Sequence, residues 1–466
     1  MIRSIIVCMA TLLVAIGSIT AQYSPSAVVE FPQEAQLPSS FEIQPDAALM
    51  PSGASMVPVN SVQSGLWNAP GTWDCGCVPS MLEDVTINGT HVITLNMDAN
   101  VNHLSIASGG SFVLEADAEY VLEVYGDWDN NGVFTAEKGT VTFTGTDDQN
   151  ILGVSTFFNL RMSGAQNVNV VTDVRVDNLL QIEGSTLYPN SRLTLASSPS
   201  GNAMLDKITT GEIVGNLTVE KTLNPSNNGW LTVSAPFDNA TIDEWNDNFI
   251  TTGFIGADYP NYSFVSIQYW DETATDPGES FTPIDSSSQS VVSGLGYYIY
   301  ANAGSYPFET EGHPIYGDFD MPIDFTDTGN LFDDGLNVLG NPYPCDINWD
   351  SETGWTKSNL NGAIYIWDVS QNQFRVYING YGINGGSALI HTGEAFWVQA
   401  NGSNPVLSIN EEAKAPTWTT IVNTSDDFLK MSMVGATSTD QFIVAFNESA
   451  SNTYESQTDA FKFFSD

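Results

Sequence analysis

The chain has 466 residues, of which 55 are acidic and 12 are basic, and its formal net charge is -43. A surface this acidic repels nucleic acid and anionic membranes, so we exclude both as partners. Hydrophobic residues make up 42% of the chain and aromatic residues 11%, which excludes an intrinsically disordered acidic protein. Alternating runs of Val, Ile, Thr and aromatic residues predict an all-β fold.

The first 21 residues have the pattern of a secretory signal peptide. Arg3 is basic, residues 5–19 are apolar, and a small-residue cleavage site ends at Ala21. We therefore expect a secreted or cell-surface protein with no transmembrane segment after signal cleavage. Residues 22–63 are rich in Pro, Ser, Ala and Gln and lack periodicity, so we interpret them as a linker.

Residues 64–198 carry a short repeat, in which an apolar-x-apolar triplet recurs with starts 18, 19, 19 and 20 residues apart. The triplets are Leu104-Ser105-Ile106, Leu122-Glu123-Val124, Val141-Thr142-Phe143, Leu160-Arg161-Met162 and Leu180-Gln181-Ile182. One strand plus turns in each period of about twenty residues predicts a β-solenoid-like domain, whose coils bury their apolar faces by stacking. An ordinary β-sandwich with evenly spaced hairpins is the alternative.

Residues 199–415 carry a longer repeat. Three pairs of similar segments follow one another in the same order, at offsets of 105, 97 and 99 residues. The pairs are Leu231–Phe237 with Leu336–Tyr343, Tyr269–Asp271 with Ile366–Asp368, and Gly294–Asn302 with Gly393–Asn401. This order predicts a duplicated β unit that forms one β-sandwich-like domain with two related halves. Residues 416–466 are predicted to add strands that complete or extend it.

Several phrases of this sequence resemble large exported proteins of the Bacteroidota phylum. They include "SGLWNAPGTWDCGCVPSMLEDVTING", "YGDWDNNGVFTAEKGTVTFTG", "LNVLGNPYPCDINWD" and "GEAFWVQANG", and the resemblance covers roughly residues 64–466. It implies export by the type IX secretion system, followed by display on the cell surface or release. Such proteins usually carry a C-terminal sorting domain, which we expect to be missing from this chain. Activities in this family are mostly unassigned, so the resemblance implies location more than function.

Cys75 and Cys77 are the first candidate site. Residues two apart on a strand point to one face, so both sulfurs could bind one ligand, but a closed zinc site needs four ligands and no spaced Cys or His motif accompanies them. Outside the cytosol the pair could form a small-ring disulfide, with Gly76 easing the turn. A structural corner is the favoured interpretation, in which Trp67 and Trp73 cap the open end of the solenoid.

Asp127, Asp129 and Asn131 are a weak candidate for a calcium site. They occupy positions one, three and five of a segment with glycine at position six, as in an EF-hand loop. Position twelve should be Glu and is Lys138, and no helices are predicted on either side. A solenoid turn is therefore favoured, and Ca²⁺ is the one cofactor that we consider.

Enzyme signatures are few in the sequence: it contains no G-x-S-x-G elbow, H-E-x-x-H motif or phosphate loop. We therefore favour a structural or adhesive protein without catalytic activity, whose partner is an extracellular polymer or surface. A hydrolase with an unrecognised carboxylate pair is the third hypothesis.

The second hypothesis is a glycan-binding module or an accessory part of a polysaccharide-degrading system. Six tryptophans of residues 199–415 could stack on sugar rings, although most are expected in the core. They are Trp245, Trp270, Trp349, Trp355, Trp367 and Trp397. Trp355 lies in a Gly-rich turn and is the one expected to be exposed.

Overall fold

The structure is a computed structural model that describes residues 57–198, 201–246, 248–274, 280–330, 334–416, 427–434, 439–446, 451 and 453–462. Strands account for 48% of the residues and helices for 3%, which confirms the all-β prediction. The predicted signal peptide, residues 1–21, lies outside the described residues. The predicted linker is described only from residue 57, where Val57–Asn60 is a strand that places Val59 in the core.

Most of the first twenty-one strands are short, because turn residues interrupt the chain every few positions, but two of them have 9 and 15 residues. They are β1 Val57–Asn60, β2 Gly65–Leu66, β3 Glu83–Ile87, β4 Val92–Leu95, β5 Ala99–Val101, β6 Leu104–Ile106, β7 Ser111–Leu114, β8 Val121–Val124, β9 Trp128–Asn130, β10 Val133–Thr135, β11 Thr140–Phe143, β12 Gln149–Leu152, β13 Ser155–Ser163, β14 Asn167–Val170, β15 Val174–Tyr188, β16 Leu193–Leu195, β17 Ser197–Ser198, β18 Gly201–Asn202, β19 Met204–Leu205, β20 Thr210–Ile213 and β21 Leu217–Leu223.

The remaining strands have two to eight residues and pair antiparallel. They are β22 Gly229–Val233, β23 Ile267–Trp270, β24 Phe281–Pro283, β25 Tyr297–Ala301, β26 Tyr306–Gly312, β27 Phe319–Asp320, β28 Leu336–Gly340, β29 Ile347–Asn348, β30 Trp355–Ser358, β31 Ile364–Asp368, β32 Gln373–Ile378, β33 Tyr381–Ile383, β34 Leu389–Ile390, β35 Ala395–Gln399, β36 Val406–Ile409, β37 Asp427–Val434 and β38 Thr439–Phe446. Among the described residues the one α-helix is α1, Ile242–Asn246, and short 3-10 helices form at Pro70–Thr72 and Glu411–Ala413.

The N-terminal strands form a β-solenoid of about seven turns, as predicted. The strands of these coils form three parallel ladders. The first ladder begins β1-β3-β6-β9-β12-β14, the second begins β5-β8-β11-β13, and the third begins β2-β4-β7-β10. Apolar residues alternate with polar ones along each strand, so one row of side chains fills the interior and the other faces water.

The sequence prediction of one strand per coil is wrong, because most coils place a strand on each of three faces. Four of the five triplets lie in register on the second ladder, where Val141 pairs with both Leu122 and Leu160, and Leu160 pairs with Leu180. The first triplet, at Leu104, belongs instead to the first ladder. The two ladders share an apolar-x-apolar pattern, so the sequence cannot distinguish them.

Parallel pairing continues beyond residue 198, the predicted end of the solenoid domain. Leu187 of β15 pairs with Ile213 of β20, and Leu195 of β16 pairs with Val219 of β21. The outer edge of β21 then pairs antiparallel with β26, over Leu217–Leu223 and Tyr306–Gly312. This pairing joins the end of the solenoid to the following domain.

The second domain contains two antiparallel sheets with the same strand order. The first sheet is β22-β25-β23-β24 and the second is β28-β35-β31-β32-β33. The three repeated segments provide the equivalent strands of each sheet, which confirms the predicted duplication. Near the end of the described chain, β37 and β38 form an antiparallel hairpin beside β33.

An aromatic core lies between the two sheets. Tyr298 and Trp397 occupy equivalent positions of the repeat, and Trp397 Nε1 donates a hydrogen bond to Tyr298 Oη at 2.6 Å. Trp270 Nε1 donates to the Leu336 carbonyl at 2.7 Å, and its counterpart Trp367 donates to the Trp230 carbonyl at 3.0 Å. Trp270 and Trp367 therefore each bind the first strand of the other half, so the two halves contact one another reciprocally.

Candidate functional site

An open groove lies where the two halves of the duplicated domain meet. Its volume is about 710 Å³, and it is lined by six aromatic residues, three asparagines, a glycine and a valine. The aromatic residues are Trp230, Phe281, Tyr298, Trp367, Phe374 and Trp397. Ligand sites in proteins are typically concave, largely apolar and of this size, so the groove is the candidate functional site.

The reciprocal contacts of the two halves position the walls of this groove. Trp367 is held by its hydrogen bond to the Trp230 carbonyl, and its ring packs edge-on against Phe374 with centroids 5.1 Å apart. Phe281 packs edge-on against Tyr298 at 5.2 Å and keeps 40% of its surface exposed. Neighbouring rings thus hold these side chains in place while part of their surface remains accessible in the groove.

The floor of the groove is formed by Tyr298 and Trp397, which are both buried. Burial raises the pKa of the Tyr298 phenol, so its hydroxyl stays protonated while it accepts the hydrogen bond from Trp397. A buried and hydrogen-bonded floor keeps its shape without a ligand. The site is therefore preorganised for a flat, neutral binding partner.

Asparagines at one end supply hydrogen-bonding groups. Asn228 Oδ1 accepts from the Ala303 amide at 2.8 Å, and Asn227 Nδ2 donates to the Ser370 carbonyl at 3.2 Å. Within the described part of the chain, Asn228 Nδ2 and Asn227 Oδ1 have no hydrogen-bond partner. The NH2 group of Asn228 and the amide oxygen of Asn227 therefore remain for ligand hydroxyls.

The groove differs from the rest of the molecule in charge. Among its described lining residues none is Asp, Glu, Lys, Arg or His, although the whole chain carries 55 acidic residues. A site without charged side chains provides neither an ion pair for a charged ligand nor a carboxylate pair for acid–base chemistry. The arrangement can bind a neutral molecule by stacking and hydrogen bonding.

Cys75 and Cys77 form a disulfide in the structure, with Gly76 between them at φ +60°. The bond lies at the N-terminal end of the solenoid. There Trp67 and Trp73 are buried and pack edge-on, with ring centroids 5.0 Å apart, and Trp73 Nε1 donates to the Trp67 carbonyl at 2.9 Å. The tryptophans cover the first coil, and the disulfide closes the turn that follows them.

Asp127, Asp129 and Asn131 lie along β9 and its ends, on a strand rather than in a loop. Residues two apart on a strand share a face, and their Cα atoms are about 6.6 Å apart. Asp127 Oδ1 accepts hydrogen bonds from Asn150, and Asp129 Oδ1 accepts one from Asn131. Asp127 is therefore bonded to the following coil, whereas Asp129 and Asn131 are bonded to each other.

Across the described residues, no group of three or more His, Cys, Asp or Glu side chains could hold a metal ion. Position six of the candidate calcium loop, Gly132, lies at close range to the neighbouring coil, where an added Cβ would meet the Gly110 carbonyl oxygen at 2.4 Å. That glycine is therefore explained by coil packing.

The expectation that Trp355 is exposed is wrong. Its side chain is buried, because residues 355–358 form β30 and pair with β36 instead of forming an open turn. Trp355 Nε1 donates to the Asn348 carbonyl at 2.8 Å, and the ring packs edge-on against Trp349 at 5.0 Å. Trp245, Trp349 and Trp397 are also buried, as expected for most of the six tryptophans.

Sequence reasoning missed Trp230 and Phe281 as candidates for the site. Trp230 precedes the first repeated segment by one residue, and its equivalent in the second half is Gly335, so Trp230 lies outside the three matched segments. Two tryptophans of the groove, Trp367 and Trp397, belonged to the predicted sugar-stacking set. A comparison of the two copies could have identified Trp230, because one copy has tryptophan at this position and the other has glycine.

A charged cluster joins the solenoid to the second half of the duplicated domain. His391 Nδ1 lies 2.8 Å from Asp346 Oδ2, and this hydrogen bond raises the pKa of His391. Arg375 forms an ion pair with Glu394, and Lys221 of β21 donates to the Thr392 carbonyl at 3.0 Å. The cluster crosslinks elements distant in sequence, and its groups are engaged with one another.

No protein-family model, curated protein or solved structure matches this chain. The groove and its residues are therefore interpreted from their geometry alone. Within the part of the chain that the structure describes, none of the helices has the length and apolar composition needed to cross a membrane.

Proposed function

We propose that this chain is a non-catalytic adhesive protein of the cell exterior and that the aromatic groove binds a neutral glycan. The observation that carries the proposal is the combination of aromatic side chains, several of them partly exposed, with asparagine amides in a groove whose described lining is uncharged. Sugar rings have apolar faces, which stack on aromatic rings, and hydroxyl edges, which bind amides.

The charge of the chain supports a neutral ligand over an acidic one. At a net charge of -43 the protein repels anionic polymers, and the groove supplies no Lys or Arg to offset that repulsion. Neutral polysaccharides carry no charge and experience no electrostatic repulsion from the protein. A protein outside the cell would encounter such polymers. The signal-like pattern at residues 1–21 supports this extracellular location.

The same lining supports binding without catalysis. Glycoside hydrolysis needs two carboxyl groups on either side of the scissile bond. Since the described lining of the groove includes no Asp or Glu, a glycan held there meets no acid or base. We therefore propose adhesion or retention of a polymer, with the solenoid as the part that spaces the groove from other structures.

A glycan array probed with the mature protein tests this proposal. We expect binding to neutral oligosaccharides and none to sulfated or uronic acid glycans. The variants Trp230→Ala and Trp367→Ala should each weaken binding about tenfold or more, since each removes a stacking face. Phe428→Ala is the matched control, because it removes an exposed aromatic residue of the hairpin β37–β38.

Aromatic grooves also bind proline-rich peptides, so the same protein should be titrated with a polyproline peptide. Binding of that peptide in the absence of any glycan binding would overturn the proposal. So would a preference for anionic glycans, or groove variants that bind glycan as well as the wild type does.

A further inference from the structure

A second cleft lies beside the aromatic groove on the same domain. Its volume is about 580 Å³, and its lining is again aromatic. The rings are Phe249, Tyr259, Tyr262, Phe264, Tyr300 and Tyr306. Among its described lining residues there is likewise no Asp, Glu, Lys, Arg or His, in a chain with 55 acidic residues.

The two depressions share a wall of three rings in mutual contact. Trp230 lines the groove, whereas Phe264 and Tyr300 line the second cleft. The Trp230 ring lies 5.6 Å from Phe264 and 5.5 Å from Tyr300, and those two rings are 5.2 Å apart. The aromatic surface is therefore continuous from one depression to the other.

One strand carries the floor of both. Tyr298 and Tyr300 are two residues apart on β25, so their side chains point to the same face, about 7 Å apart. Tyr298 lies under the groove and Tyr300 under the second cleft, and Asn302 continues the same row. The ligand path thus follows the strand direction for about 14 Å, which is longer than a single sugar ring.

We propose that the second cleft is a further subsite of the same site and that the ligand is a linear, neutral oligosaccharide or polysaccharide lying across both. This inference rests on the proposed function. Each depression alone has the size of a small-molecule site, of about 300–1,000 Å³, and the two together exceed it. Tyr259 and Tyr262 are 55% and 65% exposed at the far end, where the added sugar units stack.

Calorimetry with oligosaccharides of defined length tests the inference. The probes are cello-, xylo-, laminari-, malto- and manno-oligosaccharides of two to eight units. In the series that binds, we expect the dissociation constant to fall about tenfold or more between two and six units, because the longer chain reaches the second cleft.

Tyr262→Ala, alone and with Tyr259→Ala, separates the two subsites. Substitution of these exposed residues should weaken binding of the six-unit oligosaccharide (the hexamer) about tenfold and leave binding of the two-unit oligosaccharide (the dimer) unchanged. Tyr454→Ala is the matched control, because it removes another exposed tyrosine outside both clefts. Unchanged melting temperatures establish that the variants are folded.

The outcomes distinguish the two proposals. If no series binds at any length, the proposed function fails and the extended site fails with it. If dimer and hexamer bind equally well, or if the Tyr262 and Tyr259 variants bind the hexamer as the wild type does, the second cleft is not a subsite while the groove remains one.

Discussion

The solenoid and the duplicated domain both arise from repetition, but they use their aromatic side chains in opposite ways. In the solenoid, Trp128, Phe134 and Phe157 pack against one another in the interior, with Trp128 lying 4.7 Å from Phe134 and 5.3 Å from Phe157. In the duplicated domain, Trp230 and Trp367 keep part of their surface at the groove. A repeat of about twenty residues stacks into one continuous core, whereas a repeat of about one hundred residues produces two folded halves with a surface between them.

Replacing one inward and one outward tryptophan tests this comparison most directly. Trp128 is fully buried and donates to Ser155 Oγ at 3.0 Å, so Trp128→Ala should lower the free energy of unfolding by about 3–5 kcal/mol. Trp367→Ala should cost less than half as much, because its ring is partly exposed. Urea denaturation followed by circular dichroism measures both, and equal losses would contradict the distinction.

The next largest effect on stability is expected at the contact between the two halves of the duplicated domain. Tyr298→Phe removes the acceptor of the Trp397 indole in a buried place, which should lower the free energy of unfolding by about 1–3 kcal/mol. Tyr300→Phe is the control, because this residue is on the same strand and partly exposed. If both variants melt like the wild type, the hydrogen bond between the equivalent positions contributes nothing to holding the halves together.

The disulfide at the start of the solenoid should have a smaller effect. A disulfide that closes a loop of three residues reduces the conformational entropy of the unfolded chain only slightly. Cys75→Ser with Cys77→Ser should therefore lower the free energy of unfolding by about 1–2 kcal/mol. We expect no change in metal content, which elemental analysis of both proteins measures. Stoichiometric zinc that is present in the wild type and lost in the double variant would contradict the structural role.

The smallest expected effect is a pH dependence at the junction of the two domains. The hydrogen bond to Asp346 raises the pKa of His391 above its unfolded value of about 6.5. Its stabilising contribution is therefore fully present below that unfolded value and is lost as the pH rises through the folded pKa. His391→Gln should remove this part of the pH profile of the melting temperature.

His313→Gln is the matched control for that measurement. His313 is also partly exposed and lies 3.8 Å from Asp238, so its removal tests whether any histidine near a carboxylate has the same effect. A pH profile that His313→Gln flattens as much as His391→Gln does would contradict a specific role of the Asp346 pair.

Much of the fold could be predicted because it follows from spacing. The triplets at Leu122, Val141, Leu160 and Leu180 come into register on one ladder, and the segments at Gly294 and Gly393 become equivalent strands of two sheets. Most strands of the first and third ladders were not predicted. They are only two to five residues long, and some of their inward-pointing residues are polar. Asn130, for example, is buried on β9 and donates to the Val154 carbonyl.

The candidate site could be predicted only in part. Trp367 and Trp397 were candidates by residue type, but exposure depends on which strand covers each ring, and that is a tertiary property. Trp355 illustrates the error, because its Gly-rich context predicts a turn while β36 pairs with it and buries it. Phe281 begins β24 and Asn228 immediately precedes β22, and these distant segments are brought to one groove by the strand order of the first sheet, in which β25 and β23 lie between them.

The pairing of β21 with β26 has a consequence for the order in which the chain is made. β21 ends at Leu223 and β26 begins at Tyr306, so the outer edge of β21 has no antiparallel partner until the intervening residues have left the ribosome. At about 5–20 residues per second, roughly 80 residues take about 4–16 s to translate. During that interval the growing chain exposes the unpaired edge of β21. This edge pairs correctly only if the first copy of the duplicated unit, which contains β26, reaches it before a strand of another molecule does.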